Sequence, residues 1–537
     1  MCRGRCRAEA ANGGRRNKVS TFHSLMESTV SARFNTMKLC FASSALFFAF
    51  SSSGVGAVPT DPSYFEQIVD HNNDNSEATY KQRFYEKGDY WSGPGAPIFL
   101  VMGGEGAIPP ETGLFYPYVN DVLAEEFGGY VLEPEHRFYG DSQPTGVAPP
   151  GVSNEDLKNL MTPLQALADA KRLVKAKQKE LGCTERGTPN YCPVFVIGGS
   201  YPGFLSFSMR LLHGDVIDAS YAASAPIRFY AQQIDQYDYY ELITKSAERS
   251  LAGCAANVRD ALADVSQKIL SSPSVDDIAS KIGVCPGPKI PEYSASSVSN
   301  FQEEIMMVIG YTFANYNMGN YPPDDTTDLY KTCLMFGDEL SAAEKVKTLL
   351  LNLTGDEDAA ECFDMNSQLP AGPNATITSG DWSGVGTGGD GSMWDFQTCS
   401  MLVETIGFSG SRDMFPPREW TMDWLTQHCG DRFDVEPKPL EYAREWGFDD
   451  IMQNTNVTRV LFTNGLNDGW AVGSILESLD EGERQLIAMN FPNGAHHSDL
   501  SHETPGPNDT EDIQQGHKDV IELFHKWLAD IKAEGKF

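Results

Sequence analysis

Val194-Phe195-Val196-Ile197-Gly198-Gly199-Ser200-Tyr201-Pro202-Gly203-Phe204-Leu205 divides into a strand, a turn and the start of a helix. Four apolar residues, three of them β-branched, predict a buried strand. Two glycines allow a sharp turn, and from Tyr201 to Leu212 apolar residues recur at helical spacing. A tight strand-to-helix turn with a central serine is the setting that a G-x-S-x-G nucleophile elbow needs. The serine must sit on a strained turn so that its Oγ projects from the sheet, and small neighbours must let strand and helix approach. The fifth position is Pro202 rather than glycine, with Gly203 one residue later. Proline is tolerated in a first helical turn, where its missing N–H has no intrahelical partner. The backbone N–H of Tyr201 survives as a candidate oxyanion donor. Taken alone, the stretch also reads as a glycine–serine turn with no chemical role.

The chain has 537 residues, enough for a large core and for more than one domain. Lys and Arg number 41 against 74 Asp and Glu, a formal charge of −33. That excess argues against a nucleic-acid partner, which needs a basic face. It suits an acidic compartment, where protonated carboxylates repel less, and it suits solubility equally well.

Met37-Lys38 precedes an apolar run from Leu39 to Phe50, then small residues and Val55-Gly56-Ala57. This predicts a secretory signal within a leader spanning 1–57, cleaved after Ala57. The apolar run is too short to cross a bilayer as a helix, so no stable membrane anchor is expected after cleavage. Residues 1–36 are Arg-rich and read either as an over-extended start or as a long n-region. Past the signal stand eight cysteines: Cys183, Cys192, Cys254, Cys285, Cys333, Cys362, Cys399 and Cys429. An even number in a secreted chain predicts four disulfides of open connectivity. A Cys183–Cys192 bridge would close a short loop before the elbow strand. Without a C-x-x-C pair, a zinc-ribbon or thioredoxin reading is poor. Sequons at Asn352, Asn374, Asn456 and Asn508 agree with the secretory pathway, ending outside the cell or in a lysosome or vacuole.

Before the elbow, Tyr80 to Tyr90 reads as an edge strand and Pro97 to Met102 as a stronger one, ending in Gly103-Gly104-Glu105-Gly106. Gly129 to Pro134 is a further strand, running into Glu135-His136-Arg137-Phe138-Tyr139-Gly140. Thr162 caps a helix with Pro163 at its first position, carried on from Leu164 to Leu181. Alternation of strands and helices implies a mainly parallel sheet covered on both faces. After a small-residue strand, Ala219 to Pro226, the pattern changes. Tyr237–Asp264 and Phe301–Thr312 look helical, long loops intervene, and the Gly-rich stretch Thr378–Ser392 follows. The sheet resumes at Val457–Thr463 and again near Gln485–Asn490. A closing amphipathic helix, Asp512–Ile531, carries Val520, Ile521, Phe524, Trp527, Leu528 and Ile531 on one stripe. The expected domains are a first core part at 58–228, an inserted, mostly helical cap at 229–440, and a second core part at 441–537.

A nucleophilic serine needs a base and a group that orients the base. Asp468, in Asn464-Gly465-Leu466-Asn467-Asp468-Gly469-Trp470, and His496, in Gly494-Ala495-His496-His497-Ser498-Asp499-Leu500, each follow a strand. Singly they read as a turn aspartate and a surface histidine; together they give the order Ser…Asp…His of α/β-hydrolases, which also place an oxyanion N–H on a glycine-rich loop after an early strand. His497 is the rival base. A metal site at His496, His497, Asp499 and His502 is disfavoured, because adjacent histidines point apart on an extended chain and no H-E-x-x-H helix is present. Asp70-His71-Asn72-Asn73-Asp74 mimics a calcium loop but lacks the glycine and terminal glutamate of an EF-hand.

The motifs GGEG (103–106), EHRFYGDS (135–142), GGSYPG (198–203), SAP (224–226), MWDFQTC (393–399), DMFPP (413–417), NGLNDGW (464–470) and GAHHSDL (494–500) resemble, in order, the serine peptidase family that contains lysosomal Pro-X carboxypeptidase, dipeptidyl peptidase II and fungal acid prolyl endopeptidases. The resemblance implies an α/β-hydrolase fold with a helical cap over the site, Ser200 as nucleophile, Asp468 as orienter, His496 as base, and cleavage after proline. Oxyanion donors would be the N–H of Tyr201 and one from Gly104 or Glu105. Trp470 would wall a proline slot, and Glu105 would either pair with a substrate's amino group or merely close its loop. No cofactor and no metal is implied; the expected partners are peptide substrates, with a homodimer as a further expectation. Departures fall at Pro202 for glycine, at Asp468-Gly469-Trp470 for D-P-W and at Cys399-Ser400-Met401 for C-T-E; the last two bear on the substrate pocket. The expected activity is that of a serine exopeptidase of Pro-X carboxypeptidase or dipeptidyl-peptidase type acting on short peptides. A carboxylester hydrolase on the same fold and an inactive secreted binding protein are the rival readings.

Overall fold

The computed structural model describes residues 61–73, 77–110, 113–149, 151–287, 298–353, 361–365, 388–501 and 504–534. The leader, Asn374, His502 and most of the Gly-rich 378–392 stretch lie outside them. One sheet is built from β1 (Ser63–Ile68), β2 (Thr79–Lys87), β3 (Ile98–Val101), β4 (Tyr130–Pro134), β5 (Val194–Gly199), β6 (Ala219–Ala223), β7 (Val460–Gly465) and β8 (Leu486–Phe491). The spatial order is β1-β2-β4-β3-β5-β6-β7-β8. β1–β2 and β2–β4 pair antiparallel, and every other pairing is parallel. This is an α/β-hydrolase fold. The strand expected at Tyr80–Tyr90 is therefore not an edge: β1 pairs along its outer side, with Phe65 opposite Gln82. Ser63–Ile68, with three polar residues among six, carries too weak an apolar pattern to announce that extra strand.

β5 is buried throughout. Its side chains alternate between two cores: Val194 and Val196 join one, Phe195 and Ile197 the other. A strand buried on both faces reads as one continuous apolar run, which is why the stretch was legible. Ten helices of ten or more residues are present among the described residues. α1 (Pro163–Glu180) starts where Thr162 Oγ accepts from the Gln165 N–H, and α2 (Tyr201–Leu212) follows the elbow. Seven lie between β6 and β7: α3 (Asp238–Ser250), α4 (Cys254–Leu270), α5 (Val298–Met318), α6 (Asp328–Gly337), α7 (Ala342–Asn352), α8 (Gly388–Ser400) and α9 (Met422–Phe433). They make the helical cap. The helical reading of Tyr237–Asp264 splits in two because Gly253 turns left-handed, at φ +86°. α10 (Glu511–Glu534) closes the second face, and its Phe524 ring lies 4.7 Å from Phe195.

The eight cysteines pair as Cys183–Cys192, Cys254–Cys333, Cys285–Cys362 and Cys399–Cys429. Four bridges fit a protein that matures in an oxidising compartment. Asn352, Asn456 and Asn508 are exposed. Among the described residues no helix is long and apolar enough to cross a membrane.

Candidate active site

Ser200 ends the elbow strand at φ +64°, ψ −132°, backbone that a non-glycine residue occupies at a cost of about 1–3 kcal/mol. The surroundings impose it. The Ser200 N–H donates to Ala223 O (2.9 Å), and the Phe204 N–H donates to Ser200 O (3.1 Å). A Cβ on Gly198 would lie 2.3 Å from Pro202 O, and one on Gly203 would lie 2.6 Å from Ala223 O. Glycine alone lets strand and helix meet this closely. Pro202, the departure from the motif, finds room because Gly104 faces it; a Cβ at Gly104 would stand 2.8 Å from the proline ring.

Asp468 caps a short 3-10 turn after β7 and is fully buried. Its Oδ1 accepts from the Trp470 N–H (3.0 Å), and its Oδ2 lies 2.7 Å from His496 Nδ1. A carboxylate only accepts, so Nδ1 carries the proton and Nε2 is left as the basic nitrogen. Asp468 and His496, read from separate motifs, are thus in direct contact. The two histidines do not point apart, because His497 is left-handed (φ +35°) rather than extended, and the rings lie 4.6 Å apart. His497 instead packs on the elbow. A Cβ on Gly199 would lie 2.7 Å from its ring, and its N–H donates to Ser224 Oγ (2.9 Å). The loop carrying His496 is thereby held against the residue preceding Ser200. Ser200, Glu105 and His496 are partly exposed on this floor. Burial raises the Glu105 carboxyl above its usual range, opposed by its own amide N–H and by the nearby His496.

Motif residues without an assigned role turn out to support these parts. Glu135 accepts from Arg83 Nε (3.1 Å), Ser142 Oγ (2.8 Å) and the amides of Asp141 (2.9 Å) and Ile108 (3.1 Å). Arg83 also donates to Ile108 O (2.8 Å), so the pair clamps the downstream end of the 103–106 loop. Burial pushes His136 down to about 4 and keeps it neutral; Nδ1 donates to Arg137 O (2.8 Å), leaving Nε2 to accept from Tyr201 Oη (3.0 Å). From α8, Gln397 donates to Tyr201 Oη (2.8 Å) and accepts from Tyr139 Oη (2.7 Å). The residue after the serine is therefore tied to the cap. Trp470 stands among Tyr239 (4.9 Å), Phe229 (5.2 Å) and His496 (6.4 Å), an aromatic wall of which only Trp470 was legible beforehand.

The Asp70–Asn73 segment and a cluster in the cap each engage protein partners. His71 Nε2 pairs with Asp169 (2.7 Å) and Asp70 accepts from Gln165 (2.7 Å), which fastens this segment to α1; Asp74 lies outside the described residues. Asp395, Cys399 and His428 cluster in the cap, but the Cys399 sulfur is bonded to Cys429, and Asp395 pairs with His428 and Arg432, each at 2.8 Å.

A serine on a strained strand-to-helix turn, with a buried carboxylate–imidazole pair at later strand ends, is the arrangement of an α/β-hydrolase with a serine nucleophile. The profile of the serine carboxypeptidase S28 family matches residues 67–520, and the chain belongs to that family. It is a serine-type peptidase. Mouse (Mus musculus) lysosomal Pro-X carboxypeptidase is 27% identical over 485 residues, covering 87% of this chain and 89% of that protein. Mouse thymus-specific serine protease is 26% identical over 497 residues, covering 89% of each. Among solved structures, uncomplexed Pyrococcus horikoshii acylaminoacyl peptidase aligns over 33% of this chain and 24% of its own, with a TM-score of 0.22 and 15% identity. At that TM-score the likeness carries no argument, and the fold rests on the sheet and the elbow themselves.

Proposed function

We propose that Ser200, Asp468 and His496 form a catalytic triad that hydrolyses short peptides at proline through an acyl-enzyme. The observation that carries the reading is the 2.7 Å contact of His496 Nδ1 with the fully buried Asp468. Ser200 Oγ attacks the scissile carbonyl carbon, His496 Nε2 takes its proton, and Asp468 holds the imidazole tautomer. The same proton passes to the leaving amine as the C–N bond breaks. Water then adds to the acyl-enzyme, with His496 again as base, and releases the acid product. The N–H of Tyr201 and one from the Gly104–Glu105 region are the donors this reading assigns to the developing oxyanion, each contributing roughly 3–4 kcal/mol in such sites.

Trp470, packed edge-to-face on Tyr239 and Phe229 beside His496, is the aromatic wall proposed for a proline ring, and apolar fits of this kind discriminate by roughly 1–3 kcal/mol. On this reading the cap helices α3 to α9 roof the floor and restrict entry to short chains. Glu105 is a ready partner for a substrate's free amine. The Pro-X carboxypeptidase name of a relative supports proline and an exopeptidase mode; passage through the secretory pathway to a lysosome or the exterior accords with the disulfides and exposed sequons.

The test is a matched substrate series at acid pH: X-Pro-reporter with free and acylated amines, and peptides ending Pro-X with free and amidated carboxylates. Preference for proline over alanine is expected, with loss on one of the two blocks. Loss on acylation marks a dipeptidyl peptidase with Glu105 as its anchor; loss on amidation marks a carboxypeptidase. Indifference to both blocks overturns the exopeptidase reading, and equal turnover of Ala and Pro overturns the proline slot.

A further inference from the structure

The last turn of the cap helix α5 reaches both loops that carry the Asp468–His496 pair. Asn317, fully buried, uses one side-chain amide on both sides of Asp468: its Nδ2 donates to Asn467 O (2.6 Å) and its Oδ1 accepts from the Gly469 N–H (2.8 Å). The orientation is forced, since a backbone carbonyl only accepts and a backbone N–H only donates. The next residue completes the contact. Met318 O accepts from the His496 N–H (3.3 Å), and Met318 Sδ receives the Trp470 indole N–H (3.3 Å). Two consecutive cap residues thus hold the peptides flanking the aspartate, the backbone of the histidine and the ring of the aromatic wall.

We infer that Asn317 is a positioning residue for the Asp468–His496 pair, supplied by the cap and acting from α5 across 150 positions of sequence. The inference rests on the triad reading above. Asp468 receives two hydrogen bonds through its own oxygens, from Trp470 N–H and His496 Nδ1, but neither fixes where its backbone stands. The turn's own bonds, Asp468 N–H to Gly465 O (3.2 Å) and Ala471 N–H to Asp468 O (3.1 Å), close it locally without tying it to the rest of the site. The preceding residues reach the histidine's loop, Leu466 N–H to Phe491 O (2.9 Å) and Asn467 N–H to Gly494 O (3.0 Å), and Asn317 supplies the tie from the cap, on both sides of the aspartate. Removing it leaves a buried N–H and C=O without these partners and frees the loop to shift. A displacement near 1 Å in a catalytic group is enough for ~10²-fold in rate.

The experiment compares full-length wild type with Asn317→Ala, Asn317→Asp, Ser200→Ala and His496→Ala. Asn317→Asp keeps the size and the acceptor for Gly469 while losing the donor to Asn467, so it tests the idea even where Asn317→Ala does not fold. Two readouts separate positioning from stability: kcat against KM on a Pro-containing reporter peptide, and the low-field proton resonance of the His496 Nδ1–H···carboxylate bond, identified by its absence in His496→Ala. The expected result for folded Asn317 variants is kcat lower by ~10²-fold at nearly unchanged KM, with the resonance lost or moved. Wild-type kcat, or an unmoved resonance, in either folded variant overturns the inference. Persistent activity in Ser200→Ala overturns the triad reading itself, and the inference with it, and that result is distinct because Ser200 stands on the β5–α2 turn and not on the loop that Asn317 holds.

Discussion

Ser200 and the Asp468–His496 pair are held by different means. The serine stands in a segment shaped mostly from within: β5, the turn and α2 are contiguous, Gly198 closes on Pro202, and Gly203 closes on Ala223 of the adjacent strand β6. The aspartate and histidine stand in loops after β7 and β8 that bond to each other and draw further ties from elsewhere, from Ser224 and from Asn317 and Met318 of α5. A self-contained motif tolerates change far away and fails on small changes within. An externally tied pair fails from a distance. The cap is thus more than a roof, since through Gln397 and Asn317 it touches both halves of the site.

The largest expected effect tests whether the two halves act as one unit. Ser200→Ala, Asp468→Asn and His496→Ala should each cut turnover by about 10⁴-fold or more, with double variants little worse than singles. His497→Ala should lose far less, because its ring packs on Gly199 while it is His496 that bonds Asp468. Steady-state kinetics on folded variants check this, and a dead His497→Ala beside an active His496→Ala would reassign the base.

A smaller effect probes the self-contained half. Gly203→Ala puts a Cβ 2.6 Å from Ala223 O, so helix and strand must part. Turnover should fall by ~10²-fold, as expected when a reacting group moves by about an ångström. A thermal melt alongside kcat separates displacement from unfolding; wild-type kcat would mean that the elbow is less tightly determined than its contacts indicate.

The smallest effect concerns the floor beneath the elbow. Tyr116 Oη accepts the Gly199 N–H (3.2 Å), and the neighbouring Glu133 is pushed up to about 8 by burial, with the Phe115 N–H opposing. A carboxyl with a raised folded pKa contributes fully below its unfolded value near 4.5 and loses that contribution as pH rises through 8. Glu105 and Asp499 are also raised by burial and act in the same direction. His136, pushed down to about 4, acts oppositely between pH 4 and 6.5. Glu133→Gln, which keeps an acceptor for Phe115, should therefore flatten the decline in stability from pH 5 to 8, by roughly 2–4 kcal/mol relative to wild type. Denaturant unfolding at both pH values measures it; parallel wild-type and variant curves would refute a neutral Glu133.

Much of this protein was legible where local chemistry is sufficient. A doubly buried strand must be apolar throughout, a strained turn must be flanked by glycine, and a helix start needs a cap such as Thr162, so β5, α2 and α1 announce themselves. Ser200, Asp468 and His496 stood out in the sequence because each follows a strand in the hydrolase order, and an even count of eight cysteines after residue 57 implied the four bridges that form. Tertiary structure alone decided the rest. β1 became the sheet edge because pairing depends on a partner strand and not on its own weak pattern. The cysteine partners, apart from the short loop of Cys183 and Cys192, followed from which cap helices meet. His497 turned away from an extended course because its ring had a place on Gly199. Asn317 carried no signal, since an asparagine near a helix end resembles any other until the loop it grips arrives from 150 residues away. Parallel pairing of β7 with β8 brings the loops of Asp468 and His496 to one edge of the sheet, and the bond from Asn317 that steadies them runs between a distant side chain and backbone, which leaves no periodicity in the sequence.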